Sequence, residues 1–356
     1  MRLSGLPMVG ELTPVPVDPA RADRDFWSRY HVLRRMRLSE MFPDDPVEPD
    51  DVTETRMKQD NPFDRNYYFE VSRDGVMLGW LSGEHPTPRN AEYETNKHLF
   101  WGDVYVRPED RRKRIGARLV GAAARAMDEL GATVLGLTAT HDAAHAFVSW
   151  LGATAKLREV ESRLKLAEVD WEMMRRWVED GHKRSPETRL EIYDGALPES
   201  LWEKFAEQRT ILLNTMPFED LDIGQIIVTP ERMRDYLERA AATGEVLHNV
   251  ITWEPDGSIS GMTDITWAAY RRTLIEQQFT GVRPDARGRG LGKWIKAAMV
   301  LHVRDLYPDA EWIVTGNAGT NAPMLKINRT MGFKPYRTHV DYQVARDLLE
   351  ARLGAR

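Results

Sequence analysis

The stretch VRPDARGRGLGKW, residues 282–294, follows an apolar run at 274–282 that reads as a strand and leads into an amphipathic run at 291–306 that reads as a helix. A strand, a glycine-rich loop and a helix in that order make an anion cradle. The first backbone N–H groups of the helix lack carbonyl partners, the helix dipole adds partial positive charge, and glycines let a phosphate approach the backbone. Two phosphate loops are excluded by residue identity. A nucleotide P-loop needs Lys followed by Ser or Thr, whereas Lys293 is followed by Trp294. A dinucleotide fingerprint needs a third glycine where Lys293 stands.

The pattern that remains is Arg287-x-x-Gly290-x-Gly292 directly after a Val-x-Pro strand end. It resembles the pyrophosphate loop of the GCN5-related N-acetyltransferases, the GNAT superfamily. The resemblance implies that Arg287, Gly288, Arg289, Gly290, Leu291, Gly292 and Lys293 hold the pyrophosphate of acetyl-CoA. Taken alone, such a loop is also compatible with a plain turn, and the rest of the chain has to decide.

Much of it recurs. Val52-Thr53-x-x-Arg56-Met57 returns as Val228-Thr229-x-x-Arg232-Met233, and Val106-Arg107-Pro108 as Val282-Arg283-Pro284, each 176 residues later. Arg111 and Gly116 return as Arg287 and Gly292 at the same spacing. Trp27 and Trp202 open matching helices, Asp74-Gly75 matches Asp256-Gly257 as a hairpin turn, and Gly152 matches Gly332 as a helix stop. The first copy reads as helices at 25–41 and 52–59, strands at 67–71, 76–81 and 99–106, a helix at 115–130, a strand at 133–138, a helix at 143–150 and a closing strand at 155–167. The chain is thus a tandem duplication and resembles the two-domain GNAT proteins, of which mycothiol synthase is the familiar type. The resemblance implies an α+β (mixed α/β) fold of two tandem GNAT domains, each a mostly antiparallel mixed sheet flanked by helices. Residues 1–168 form the first and 188–356 the second. Residues 169–187, with spaced Trp171, Met174 and Trp177, read as a linker helix packed between the halves.

Composition agrees. A chain of 356 residues holds two domains with sizeable cores, and 29% charged with 42% hydrophobic residues is a soluble globular balance. No apolar run is long enough to span a bilayer, MRLSGLPMVG is too short and broken for a secretory signal, and the expected location is the cytoplasm. The absence of cysteine removes disulfides, thiolate metal sites and an acyl-cysteine intermediate, so transfer goes directly from donor to acceptor. A net charge of -6 argues against nucleic acid and for a cationic or amine acceptor.

The halves are not equivalent. Arg114 stands where the second half has Gly290, within the run Arg111-Arg-Lys-Arg114, and a side chain there points where phosphate oxygens sit. The first half reads as degenerate and the second as catalytic. An alkylamine is mostly protonated at neutral pH, so attack on a thioester needs a base. Glu276, six residues before Val282, matches the general-base glutamate of GNAT histone acetyltransferases; a solvent-facing or ion-paired carboxylate is the plain alternative. Counting back by 176 gives Phe100 as its counterpart, and Asp264 is the reserve base. The resemblance further implies backbone donors to the thioester carbonyl around Thr280, Gly281 and Val282, where Gly281 suits a bulge. It implies pantetheine contacts from Asn317 and Asn321, although Asn321 also reads as a helix N-cap.

Asn328, expected with Glu219, Asp220 and Asp222 on the substrate-binding side, departs from the family. It occupies the place of a tyrosine proposed to protonate the leaving thiolate, and an amide is no acid at neutral pH. Glu219, Asp220 and Asp222 lie where an amine acceptor would be attracted, or are acidic for solubility. His141 and His145 have metal-ligand spacing but no third ligand in sequence, and His302 falls on an apolar stripe as a packed core histidine. Acetyl-CoA is therefore the expected cosubstrate, with no metal, a small-molecule amine as partner, neither nucleic acid nor membrane, and a monomer or homodimer. A CoA-binding regulatory or scaffold protein without turnover, or an acetyltransferase acting on a protein or peptide amine, is the alternative.

Overall fold

The structure, a computed structural model, describes residues 12–354; the stretch MRLSGLPMVG lies outside them. The first half comprises β1 (Val15–Pro16), α1 (Arg24–Met41), α2 (Asp50–Lys58), β2 (Asp64–Arg73), β3 (Val76–Pro86), α3 (Tyr93–Asn96), β4 (Leu99–Val106), α4 (Ile115–Leu130), β5 (Val134–Ala139), α5 (Asp142–Trp150) and β6 (Thr154–Lys165). Helix α6 (Trp171–Arg184) leads to β7 (Arg189–Asp194), α7 (Trp202–Leu213), α8 (Pro230–Ala242), β8 (Glu245–Trp253), β9 (Ile259–Ala268), β10 (Leu274–Val282), α9 (Leu291–Leu306), β11 (Trp312–Ala318), α10 (Ala322–Met331), β12 (Lys334–Ala345) and α11 (Arg346–Gly354). No helix among the described residues is long and apolar enough to cross a membrane.

Local chemistry sets these boundaries. Asp23 caps α1 by accepting from Phe26 N–H, Thr229 caps α8 by accepting from Arg232 N–H with Pro230 behind it, and Gly332 ends α10 in the left-handed region at φ 105°. Asp74 and Gly75 take positive φ in the β2–β3 turn.

Among the described residues, twelve strands form one sheet in the order β1-β2-β3-β4-β5-β12-β6-β11-β10-β9-β8-β7. Among these strands only β4 with β5 and β10 with β11 run parallel. At the centre the closing strands are exchanged. β12 pairs with β5 from Val134↔Ala345 to Ala139↔Val340, and β6 pairs with β11 from Lys165↔Trp312 to Glu159↔Ala318. The expectation that each half closes its own sheet is therefore corrected: each half is completed by the other's last strand. The cores follow this exchange. Val344 of β12 lies in the first-half core with Leu119 and Leu135, and Leu164 of β6 in the second-half core with Ile275 and Ile295.

The linker expectation is corrected for the same reason. Because β6 ends in the second half's sheet, α6 lands on α9 and not between the halves. Met174 is fully buried in that core, and Gly181 lies so close to Trp294 that a Cβ would stand 2.3 Å from its ring. Helix α11, after β12, packs reciprocally on the first half through Leu349.

Polar contacts tie the exchange. Glu161 of β6 accepts from Arg163 at 3.0 Å and from Arg337 of β12 at 2.5 Å, and both arginines reach Asp45 in the loop after α1. Burial raises the Glu161 carboxyl pKa, but His339, Arg337 and Arg163 outweigh it and hold it at about 2. The repeated arginines make a matching pair of bridges: Arg56 of α2 reaches Glu245 at 2.9 Å and Arg232 of α8 reaches Glu92 at 2.7 Å.

Two outcomes follow. Residues 1–168 and 169–356 expressed separately will lack cooperative unfolding transitions in circular dichroism and regain one on mixing; a cooperative transition in either piece alone would contradict the exchange. Glu161 has a depressed pKa, so its contribution of up to ~3 kcal/mol is present above about pH 4.5 and lost as pH falls toward about 2. In Glu161→Gln the acid limb of the unfolding profile over that window will flatten.

Candidate functional site

Strands β10 and β11 pair only from Leu274↔Trp312 to Glu276↔Val314, while β11 stays paired with β6 up to Ala318. Beyond Glu276 the two parallel strands part, and a wedge opens between residues 277–282 and 315–318. The glycine loop lies at the end of one strand, and Asn317 with Asn321 at the end of the other.

The wall formed by β10 is irregular. Pairing with β9 runs through Glu276↔Thr266 and Gln277↔Ile265, then resumes at Thr280↔Thr263. Gln278 and Phe279 thus oppose the single residue Asp264, which is a β-bulge. Side chains hold it open: Gln277 Nε2 donates to Asp264 O at 2.7 Å and to Thr263 Oγ1 at 2.8 Å, and Thr263 Oγ1 donates to Phe279 O at 3.0 Å. Thr280, Gly281 and Val282 are in register with β9, so the residues out of the ladder lie just before the trio read from the sequence. The corresponding β3–β4 pairing runs without a break from Gly79↔Val106 to Glu84↔Trp101.

The bulge also corrects the counterpart of Glu276. Glu276 stands opposite Thr266 and Val314 as Trp101 stands opposite Glu84 and Gly136, so Trp101 and not Phe100 is its equivalent. The extra residue in β10 breaks the spacing of 176 at this point. Phe100 faces the opposite way, fully buried in the α4 core.

The two candidate bases differ in commitment. The Glu276 side chain, 42% exposed, meets Arg271 Nη1 at 3.0 Å and accepts from Thr266 Oγ1 and Gln278 Nε2, each at 3.3 Å. Asp264 is buried with its two oxygens on Arg209 at 3.0 and 3.2 Å. Neither arginine was singled out from the sequence, because nothing in linear spacing links α7 to β9 or residue 271 to 276.

In the loop, Gly288 and Gly290 take φ 82° and 86°, and Arg287 Nε donates to Val282 O at 3.2 Å. The first-half loop has the same backbone: Arg112 and Arg114 sit at φ 64° and 63°, and Arg111 Nε donates to Val106 O at 3.1 Å. A side-chain-bearing residue there costs roughly 1–2 kcal/mol, so the shape is kept against its local preference. Arg111 is also bound to Glu40 at 2.6 Å, whereas Arg287 is exposed. Two expected side chains turn away from the second loop. Arg289 donates to Ser185, Thr188 and Glu254, and Lys293 lies 4.8 Å over the Trp177 ring. In exchange, Arg184, the last residue of α6, lies over Gly290, 3.5 Å from where its Cβ would be. Sequence reading assigned it only to the linker.

At the other strand end, Asn317 belongs to β11 and accepts from Asn328 Nδ2 at 2.7 Å. Asn328 is 2% exposed, and its Oδ1 has no hydrogen-bond partner. Asn321 caps α10 by accepting from Met324 N–H at 3.4 Å. The acidic loop is tied down: Glu219 accepts from Arg158 N–H and Thr320 Oγ1, Asp222 pairs with His98 at 3.0 Å, and Asp220 donates its N–H to Lys156 O. These contacts hold the α7–α8 connection on the exchanged strands, and only Glu219 adjoins the turn into α10. His141 caps α5, His145 bonds the Tyr342 hydroxyl, and His302 is not a core histidine, being 20% exposed with Nε2 on Asp194.

Parting parallel strands, a loop with left-handed residues opening a helix, and a common element order are shared by the two halves. Residues 30–153 match the family model described as Acetyltransferase (GNAT) family. Over those residues the chain matches a GNAT domain, and the fold of the whole chain is that of tandem GNAT proteins. In fold it is similar to the tandem GNAT protein from the clavulanic acid biosynthesis pathway, with a TM-score of 0.73 at 19% identity over 94% of this chain and 99% of that one. It is also similar to a GCN5-related N-acetyltransferase from Sphaerobacter thermophilus, with a TM-score of 0.60 at 14% identity over 94% and 96%. In sequence it resembles the mycothiol acetyltransferase of Saccharomonospora viridis, 37% identical over 71 residues. That stretch is 20% of this chain and spans only 22% of the relative's length.

A Cβ at Gly281 would stand 2.5 Å from Phe279 Cζ and 3.2 Å from Leu212 Cβ. Gly281→Ala will therefore cost about 1–3 kcal/mol in thermal denaturation as the bulge and Phe279 repack.

Proposed function

We propose that the second half is an acyl-CoA-dependent N-acetyltransferase acting on a primary amine of a small molecule. The observation that carries this reading is the β10 bulge, built and hydrogen-bonded in the second half and absent from the paired β3–β4 ladder of the first. Acetyl-CoA supplies the electrophile, a thioester carbonyl carbon. Donors at 278–282 stabilise the charge that develops on the carbonyl oxygen. The N–H groups at residues 290–292, with Arg287 and Arg184, hold the pyrophosphate. The unpartnered Oδ1 of Asn328, beside Asn317, accepts an amide N–H of the pantetheine arm.

Glu276 takes the proton from the acceptor, directly or through water, at the last rung before the wedge. Its pair with Arg271 orients it without filling all its lone pairs. Asp264, bound by Arg209 through both oxygens, is the poorer base. The amine nitrogen bonds to the acyl carbon, the carbon–sulfur bond breaks, and the thiol leaves with the proton balance closed through solvent. A thiol near pKa ~8.5 leaves without an acid, which fits Asn328 in the tyrosine's place.

A second reading assigns acyl-CoA to the first half. It is favoured by the family match over residues 30–153, by the shared loop backbone, and by a cavity of about 450 Å3 where β4 and β5 part, lined by Tyr30, Tyr68, Trp80, Glu84, Trp101 and Asp103.

Calorimetric titration with acetyl-CoA separates the two. Under the first reading one site per chain is lost in Gly290→Arg, a change that costs roughly the 1–2 kcal/mol already borne at Arg114. A site that survives places the cofactor in the first half. In an amine-acceptor screen, Glu276→Gln will lower kcat by roughly 10²- to 10⁴-fold with acetyl-CoA affinity unchanged; unchanged kcat would remove Glu276 as the base, and no turnover with any amine would favour the non-catalytic CoA-binding alternative.

A further inference from the structure

Asp194, the last residue of β7, stands directly opposite His248 on β8, and His302 reaches them from the last turns of α9. Asp194 Oδ1 lies 2.6 Å from His248 Nδ1 and 2.6 Å from His302 Nε2. The donor atoms of the three groups fall within 4.8 Å of one another. We propose that Asp194, His248 and His302 form a binding site for a divalent transition-metal ion, Zn2+ by preference, far from the glycine loop at the opposite end of α9.

Three observations support a metal over a bare hydrogen-bonded cluster. The donor set, two imidazole nitrogens and one carboxylate oxygen, suits zinc, and three protein ligands leave a position for water. The outer shell is in place: His248 Nε2 bonds the Tyr307 hydroxyl at 2.5 Å, and the Tyr307 ring is stacked on Trp267 at 4.2 Å. In the structure Nδ1 donates to Asp194; on metal binding the proton would move to Nε2 and be donated to the Tyr307 hydroxyl, freeing the Nδ1 lone pair for the ion, the arrangement that fixes a metal-binding imidazole. The site also has access and a favourable field. Asp194 is 56% exposed, His302 is 20% exposed, and the C-terminal end of α9 carries partial negative charge.

Ligand atoms 2.6 Å apart must separate by several tenths of an ångström to surround an ion at the usual ~2.0–2.2 Å. The exposed Asp194 carboxylate, at the end of an edge strand, can make that movement. An ion there would tie edge strand β7 to α9, a link separate from the proposed acyl transfer and independent of it.

The test is titration of the untagged, chelator-treated full chain with Zn2+, read by calorimetry and by the unfolding temperature. One Zn2+ per chain and a rise in unfolding temperature are expected, both lost in Asp194→Asn and in His302→Ala. Tyr307→Phe should weaken binding about 10- to 100-fold without abolishing it. Co2+ in place of Zn2+ should give the visible absorption of a tetrahedral nitrogen and oxygen site. No saturable uptake, or uptake unchanged in Asp194→Asn, would overturn the proposal and leave a hydrogen-bonded cluster. Should His302→Ala fail to fold, Asp194→Asn, at an exposed position, carries the test alone.

Discussion

The pairing of β6 with β11 and of β12 with β5 is the constraint on which the remaining structure depends. It turns two sheets into one, decides that α6 covers the second half and α11 the first, and places Glu161, Arg163 and Arg337 at the molecular centre. The wedge rests on it as well. Because β11 is held along its full length by β6, it cannot follow β10 once the bulge turns that strand aside. A strand from the first half is therefore a structural wall of the candidate site in the second.

Duplication has been followed by divergence of a definite kind. The loop backbones are retained, one with glycines and the other with arginines held in the left-handed region. The strand before each loop has diverged more deeply, since one extra residue in β10 changes which side chain faces the wedge. Where the first half presents Trp101 over an aromatic cavity, the second presents a carboxylate paired with Arg271. An aromatic cavity and an ion-paired carboxylate thus stand at equivalent places in the two halves of one framework.

Much of the fold was legible in the residues. The helices at 115–130 and 291–306 and the strands at 99–106 and 274–282 lie where periodicity and capping place them, and the recurring Arg56 and Arg232 mark elements that make matching bridges. The strand exchange was not legible, because both pairings bury the same alternating faces and differ only in connection. The bulge escaped for a related reason: counting residues presumes an unbroken ladder, and Gln277 and Thr263 reveal their role only once they meet across two strands. Within the site, side chains predicted from loop chemistry alone were the least secure. Arg289 and Lys293 are turned toward α6, while Arg184 of that helix takes the place over Gly290.

The exchanged strands also set the order of events during synthesis. Val134 of β5 finds its partner Ala345 near the far end of the chain. At roughly 5–20 residues per second the ribosome needs about 10 s or more to supply it. Throughout that interval β5 is an open edge and β6 has neither neighbour, a state prone to pairing with another nascent chain. Contacts so distant in sequence make for slow folding even after release. Chaperone protection of the nascent first half, rather than early domain-by-domain folding, is the cellular requirement this topology imposes.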